Sequence, residues 1–162
     1  MDIALVRVDN RLIHGQILEA WVPFTKSSTI IVVDDHVASD FFRETVIKMA
    51  VPRDVEVIIS SVEDFVLHFK YQKGKGRKTI VLFSGMADAF RAFQGGFAFD
   101  RLNIGNVYCD ECLKQCSPSV MLGEEDVKII RNLLDEGVQI DVRCVPREKP
   151  ANIRELITMI GA

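Results

Sequence analysis

Residues 7–16, which read RVDNRLIHGQ, bring together side chains suited to phosphoryl transfer. The segment contains one histidine, His14. A neutral imidazole nitrogen is a nucleophile toward phosphorus, and an unperturbed pKa of about 6.5 leaves such a side chain largely neutral in the cytoplasm. Arg11 lies three residues earlier, and a guanidinium binds two phosphate oxygens at once. The pattern is compatible with a catalytic His14 and equally with a structural or merely exposed one.

Asp34, Asp35 and His36 form a second polar group. They could bind Mg²⁺ or Zn²⁺ only if further ligands converged on them, so we predict no metal here. A position in the lining of the pocket, accepting hydrogen bonds from Arg11 or from backbone amides, suits them better. The third histidine, His68, is predicted to be a half-buried structural residue.

Several motifs that would indicate other chemistry are missing from the sequence. Neither GxGxxG nor GxxxxGK[ST] occurs, so nucleotide binding through a glycine-rich phosphate loop has no support, and we predict no cofactor. GxSxG is also missing, which weakens an alternative in which His14 is the general base of an α/β hydrolase.

The four cysteines, Cys109, Cys112, Cys116 and Cys144, raise the question of a metal site. A zinc site would need Cys144 to join the CxxCxxxC cluster as the fourth ligand. A redox role for the CxxC pair is no better supported, because the pair does not open a helix after a strand. Free cytosolic thiols are the simpler interpretation.

Composition places the chain among single globular domains. It has 162 residues, of which 48% are hydrophobic and 27% are charged, and its formal net charge is −3. This balance argues against nucleic-acid binding. No apolar run is long enough to cross a bilayer, and the start of the chain lacks the pattern of a signal peptide, so we expect a cytoplasmic protein. A basic segment is predicted to be a solvated turn or a docking site for an acidic partner; it contains Lys70, Lys73, Lys75, Arg77 and Lys78.

Short apolar runs alternate with segments of helical periodicity along most of the chain. Strands are predicted at residues 3–8, 29–33, 55–59, 79–83, 102–107, 119–122 and 138–142. Helices are predicted at residues 14–22, 37–49, 62–70, 86–93, 124–136 and 153–160. Such alternation requires crossover connections, and it predicts a doubly wound, mainly parallel α/β sheet with helices on both faces. The alternating polarity of residues 138–142 suggests an edge strand, so we predict an antiparallel or edge strand near the C-terminus.

Two of the predicted helices carry specific expectations. The helix at 14–22 is expected to end at Pro23. The helix at 37–49 is expected to bury an apolar stripe of Val37, Phe41, Thr45 and Met49, widened by Phe42 and Val46.

Ligands of such sheets bind beyond the carboxyl ends of the strands, where the strand order reverses. The segments that follow the predicted strands there are residues 9–16, 34–36, 60–61 and 84–85. His14 therefore lies where a ligand is expected.

The motif RVDNRLIHGQ, followed by Trp21 and IIVVDD, resembles the enzyme IIB component of the mannose/sorbose class of the bacterial sugar phosphotransferase system. The resemblance continues through Lys48-Met49-Ala50, Pro52, residues 57–61 and the segment LNIG at 102–105, and it covers about residues 2–146. It implies a transferase in which His14 accepts a phosphoryl group, on Nδ1 by family precedent, from a phosphohistidine of a IIA partner. His14 would then pass the group to a sugar held by the IIC/IID permease.

The resemblance also implies roles for the residues around His14. Arg11, Gly15 and Gln16 would bind the phosphoryl group, and Asp9 would orient the active loop. Asp34 and Ser84 are predicted to line the pocket, and neither a metal nor a nucleotide is required.

Some features depart from the family pattern. The loop at residues 84–88 differs, and residues 147–162 form an extension with an amphipathic helix within a single domain of residues 1–162. A regulatory phosphohistidine protein that serves no permease is therefore an alternative. The sequence leaves open a homo-oligomer and a peripheral location at the inner face of the membrane through the permease.

Overall fold

The computed structural model describes residues 1–69, 74–111 and 114–160, and a mostly parallel sheet forms its centre. The strands are β1 (Asp2–Asp9), β2 (Thr29–Val33), β3 (Glu56–Ser60), β4 (Lys78–Phe83), β5 (Arg101–Asn106), β6 (Lys114–Ser117), β7 (Val120–Leu122), β8 (Gln139–Val142) and β9 (Ala151–Asn152). In the described ranges, seven strands form the main sheet in the order β3-β2-β4-β1-β5-β8-β9, and β6 pairs with β7 separately. All pairings in the main sheet are parallel except that of β8 with β9.

The helices pack on the two faces of this sheet. They are a π-helix (Gln16–Trp21), α1 (Val22–Thr25), α2 (Asp35–Ala38), α3 (Phe41–Ala50), α4 (Val62–His68), α5 (Met86–Gln94), α6 (Glu124–Asp135) and α7 (Ile153–Ile160). The larger core includes buried residues of α4, α5, α6 and α7, and the smaller core includes those of the π-helix and α2. The predicted α/β class, with helices on both faces, is confirmed. No helix in the described residues is long and apolar enough to span a membrane.

β1 is the central strand of the main sheet, with three described strands on each side of it. β1 lies between β4 and β5, and its parallel register pairs Val8 with Phe83 on one side and with Ile104 on the other. The carboxyl ends of the three strands therefore meet at one edge. The segment that contains His14 leaves β1 at this edge.

The prediction of one helix over residues 37–49 with a buried stripe was wrong. The chain instead forms α2 and α3, because the Asp40 carboxylate caps a new helix by accepting hydrogen bonds from the amides of Phe42 and Arg43. This break turns the expected stripe outward: Phe41 is 83% and Met49 81% exposed, and Phe42 and Val46 are exposed as well. Val37 is fully buried, and Ile47 packs against the smaller core.

The helix predicted at residues 14–22 also differs in form. It begins at Gln16 as a π-helix, a wide helical turn that is rare and often found at functional sites. Pro23 does not end the helical segment but lies in the first turn of α1, where its missing N–H costs no hydrogen bond. Lys26, with a φ of 56°, ends the segment.

The predicted antiparallel or edge strand near the C-terminus is confirmed, and it is the short strand β9. β8 is not itself the edge strand, because β9 pairs with its outer side. The following α7 buries Ile153 and Ile157 in the larger core. The apolar face of the C-terminal helix is thus part of the domain.

Candidate functional site

The imidazole of His14 is held by the carboxylate of Asp9. His14 Nε2 lies 2.7 Å from Asp9 Oδ2, and the side chain of Asp9 is fully buried at the end of β1. The same carboxylate also turns the loop, because its Oδ1 accepts a hydrogen bond from the backbone N–H of Arg11. The carboxylate therefore fixes both the histidine and the loop that carries it.

Arg7 lies behind Asp9 and neutralises its charge. Its guanidinium donates from Nε and Nη2 to Asp9 Oδ2, at 3.1 and 2.9 Å, and it is completely buried. The two side chains point to the same side of the sheet because they are two residues apart in β1. Gly105 makes room for this arrangement, since a Cβ at that position would overlap the Arg7 guanidinium.

Two amide side chains complete the network around the carboxylate. Asn106 donates from Nδ2 to Asp9 Oδ2 at 2.9 Å and to Gln16 Oε1 at 3.1 Å. Asn106 reaches Asp9 because β5 bulges at Gly105, so that Asp9 pairs with Asn106 after Val8 has paired with Ile104. Four donor atoms besides the imidazole thus approach the single Asp9 carboxylate.

The protonation state of Asp9 follows from these partners. Burial alone raises the pKa of Asp9, but the hydrogen bond from His14, the charge of Arg7 and the hydrogen bond from Asn106 outweigh it, so the pKa is lowered. Asp9 is therefore ionised at neutral pH and can only accept hydrogen bonds. The proton between Asp9 and His14 must then be on Nε2, and in the neutral imidazole the lone pair is therefore on Nδ1.

Nδ1 itself is enclosed by protein. It is buried and has no hydrogen-bond partner in the described residues. An acceptor nitrogen without a donor is a cost that folded proteins rarely leave in place unless the atom has a function. Another molecule can reach Nδ1 only if the ring or its loop moves.

The loop between β1 and the π-helix stores backbone strain. Leu12 has a φ of 56°, in the left-handed region that is unfavourable for a residue with a Cβ. Its side chain is buried in the smaller core, which compensates for the strained backbone. Strain of this kind clusters at functional sites.

Comparison with known proteins identifies the family. The model of the "PTS system sorbose subfamily IIB component" family matches residues 3–161. The chain belongs to the sorbose-type IIB family of the phosphotransferase system. IIB components of this class take part in phosphoryl transfer during sugar uptake, together with IIA and permease components.

Individual IIB relatives match nearly the whole chain. A fructose-specific EIIB component of Bacillus subtilis is 30% identical over 97% of this chain and 96% of its own. A sorbose-specific EIIB component of Lacticaseibacillus casei is 33% identical over 94% and 93%. The crystal structure of the IIB domain of the sorbose permease from Klebsiella pneumoniae superposes with a TM-score of 0.88, at 30% identity and 98% coverage of both chains.

The predicted phosphate-binding residues of this IIB component occupy different environments. Arg11 is exposed, and its guanidinium has no ion pair or hydrogen bond with any described residue. Gly15 is exposed too, and a Cβ there would meet nothing within 4 Å. The Gln16 side chain points back to Asn106 and Arg7 instead of outward.

The two predicted pocket-lining residues of the IIB fold, Asp34 and Ser84, bond to each other. The Ser84 hydroxyl donates to Asp34 Oδ2, while Asp34 Oδ1 caps α2 by accepting from the amide of Val37. Both follow strands at the edge where His14 lies. In the described residues, neither makes a hydrogen bond to Asp9, Arg11 or His14. We find instead that they stabilise the start of α2.

Neither His36 nor His68 forms a hydrogen bond or ion pair with Asp9 or His14, and His68, which was predicted to be half-buried, is exposed. His36 belongs to α2, and His68 ends α4, where its Nδ1 lies 3.0 Å from the carbonyl of Asp64. No cluster of three or more metal-ligating side chains occurs in the described ranges. Cys112 lies outside those ranges, as do Lys70 and Lys73 of the basic segment.

Sequence reasoning missed most of the support behind the IIB site. Trp21 packs between the guanidinium groups of Arg7 and Arg143, at 5.5 and 5.4 Å from its ring centroid. Its Nε1–H donates to the carbonyl of Cys144, and Arg7 Nη1 donates to the carbonyl of Arg143. The segment after β8 thus fixes the position of the Arg7 guanidinium. In the sequence, the presence of Arg7 and Trp21 in and next to the motif was the signal that could have indicated this support.

Proposed function

We propose that His14 is the phosphoryl carrier of this IIB component. The observation that carries the proposal is the bond between His14 Nε2 and the buried, ionised Asp9, since it directs the lone pair to Nδ1. Nδ1 attacks the phosphohistidine of a IIA partner in line. The new N–P bond forms as the N–P bond of the donor breaks, and the electron pair of that bond returns to the donor imidazole.

The pair of Asp9 and His14 also explains how the phosphoryl group leaves again. With phosphorus on Nδ1 and a proton on Nε2, the ring is cationic. The Asp9 carboxylate stabilises this charge, as the aspartate of a Ser-His-Asp triad stabilises the imidazolium of its histidine. When the N–P bond of the protonated phosphohistidine breaks, a neutral imidazole leaves, and it is a good leaving group. A sugar hydroxyl held by the IIC/IID permease then attacks phosphorus, the pair of the N–P bond returns to Nδ1, and the hydroxyl proton is released.

Docking of the IIA partner must also expose Nδ1. The atom is buried in the free protein, so the donor complex has to turn the ring or shift the loop at residues 10–15. Leu12 is strained in this loop, which lowers the cost of leaving the observed conformation. We expect the loop to move when the donor binds.

The direct experiment is phosphorylation by a phosphoenolpyruvate-driven relay that ends in a IIA protein. We expect one phosphoryl group per chain, labile in acid and stable in base, and mapped to His14 by mass spectrometry. Phosphate mapped to His36, His68 or a cysteine would contradict the proposal.

Arg11 is proposed to clamp the transferring phosphoryl oxygens. Lysine keeps the charge but lacks the planar pair of donors, so Arg11→Lys should slow transfer from the IIA donor by about 10²–10³-fold, and Arg11→Ala by more. Both variants should stay folded, because the guanidinium supports no described contact. The rate is measured by rapid quench under single-turnover conditions.

A matched control for Arg11 is Arg53→Lys, which alters an exposed arginine in the turn before β3, at the opposite edge of the sheet. Its transfer rate should equal that of the unmodified protein. A near-normal rate in Arg11→Lys would show that Arg11 supplies only a diffuse positive field.

A further inference from the structure

The side chains on one face of β5 and β8 are polar. Arg101 and Asn103 of β5, Asp141 of β8 and Arg143 directly after β8, here called the polar face, alternate with residues of the larger core. The smaller core, on the side of the polar face, contains no described residue of β5 or β8. In a parallel sheet both faces are normally covered by helices. Here the cover is incomplete, since Trp21 of the π-helix packs on Arg143 while Arg101 is exposed.

The polar face forms the floor of a cavity. The cavity has a volume of about 500 Å³, and Phe24 and Asp100 contribute to its walls. Sites for small molecules typically have volumes of about 300–1,000 Å³. Phe24 is exposed and supplies an apolar surface beside the charged groups. The cavity therefore has the size and the mixed lining of a ligand site.

Hydrogen-bonding groups of both kinds remain unused on this floor. Asp141 Oδ2 accepts from Asn103 Nδ2 and from Arg143 Nε, at 3.1 and 2.8 Å. Asp141 Oδ1 and Arg143 Nη2 make no hydrogen bond to another described residue, and the same holds for the side chains of Asp100 and Arg101. The side chains of Asp141 and Arg143 are 29% and 24% exposed, so a ligand can reach them.

The charged groups that line the cavity indicate the class of ligand. The negative charges of Asp100 and Asp141 balance the positive charges of Arg101 and Arg143. An anion such as a phosphate ester therefore meets as much repulsion as attraction. A hydroxyl group both donates and accepts hydrogen bonds, and it can satisfy a carboxylate and a guanidinium at once. We propose that this cavity binds an uncharged sugar or polyol.

The proposed site is connected to His14 without overlapping it. Arg7 Nη1 donates to Asn103 Oδ1 at 2.6 Å and to the carbonyl of Arg143, and Arg7 in turn holds Asp9. A ligand that displaces Asn103 or Arg143 therefore acts on the partner of His14 through one intervening side chain. Such coupling is reciprocal: whatever the ligand does to phosphorylation, phosphorylation does to the affinity for the ligand.

The test is an NMR titration of the unphosphorylated protein with D-mannose, D-fructose and L-sorbose as separate probes. At least one sugar should cause saturable shifts of the backbone amides of Arg101, Asn103 and Asp141, and should also move the ring signals of His14. Arg101→Gln and Asp100→Asn should each weaken binding by about tenfold, since each removes a charged hydrogen-bonding partner. Arg131→Gln, in an exposed position on α6, should bind as the unmodified protein does.

Two further titrations distinguish the proposed sugar site from the site at His14. His14→Ala should keep the affinity for the sugar even though it cannot carry phosphate, so failure of one proposal does not imply failure of the other. Titration with mannose 6-phosphate should give weaker binding than mannose. The proposal is overturned if no sugar gives saturable shifts, if shifts occur only at residues 10–16, if binding is lost in His14→Ala, or if the phosphate ester binds more tightly.

Discussion

Replacement of His14 by alanine should abolish phosphorylation of this IIB component by its IIA donor. The reason is specific to this side chain: in the described residues His14 is the histidine whose Nε2 is bound by a buried carboxylate, which leaves a nucleophilic Nδ1. The measurement is the amount of acid-labile phosphate per chain after incubation with the phosphorylated donor. We expect none above background.

The other two histidines are the matched controls for this experiment. His36→Ala and His68→Ala should each retain one phosphoryl group per chain, because neither side chain forms a hydrogen bond or ion pair with Asp9 or with the loop at residues 10–15. Circular dichroism should show that all three variants are folded. Stoichiometric label on the His14→Ala protein would disprove the assignment of the carrier.

The second large effect is expected at Arg7, and it concerns stability. Arg7→Met preserves much of the volume of the side chain but leaves the Asp9 carboxylate buried without its cation. Breaking a buried ion pair by removing one partner typically costs about 3–5 kcal/mol of the free energy of unfolding. Urea denaturation monitored by the fluorescence of Trp21, which packs against Arg7, measures the loss directly.

An exposed arginine offers the comparison for Arg7. Arg91 donates to Asp35 and to Asp88, but its side chain is half exposed. Arg91→Met should therefore cost less than about 1 kcal/mol, as is usual for ion pairs at the surface. Equal losses in the two variants would show that Arg7 and Asp9 are no more strongly coupled than a surface pair.

Adding Asp9→Asn to Arg7→Met should recover part of the lost stability, because no unpaired charge then remains buried.

Much of the architecture could be predicted because it depends on local patterns. The β-branched apolar run at residues 30–33 predicts a strand buried on both faces, and the alternation of strands with helices predicts parallel pairing. The position of His14 at the carboxyl edge follows from the same pattern. A candidate site could be proposed from the sequence because the active loop is contiguous: Asp9, Arg11 and His14 lie within six residues of one another.

The apolar periodicity of residues 37–49 predicted the wrong buried face, because a single capping residue divides this segment into two helices. Phe41 and Met49 have the spacing of a core stripe, yet they are exposed, because Asp40 starts a new helix with a different orientation. Periodicity shows that a helix has an apolar face, but it does not show which way that face points. Only the position of α3 on the sheet decides this.

The support behind His14 was decided by tertiary structure alone. Asn106 lies in β5 and Arg143 follows β8, 97 and 136 residues along the chain from the side chains that they contact, and no sequence spacing relates them to His14. The bulge at Gly105, which turns Asn106 toward Asp9, depends on pairing between two strands. By itself the sequence determined the fold class and indicated His14 as the candidate phosphoryl carrier, because the alternation of strands with helices and the active loop both lie in short segments. The buried charge network and the cavity beside it arise only when distant strands become neighbours, since electrostatic and hydrogen-bonding contacts depend on distance in space.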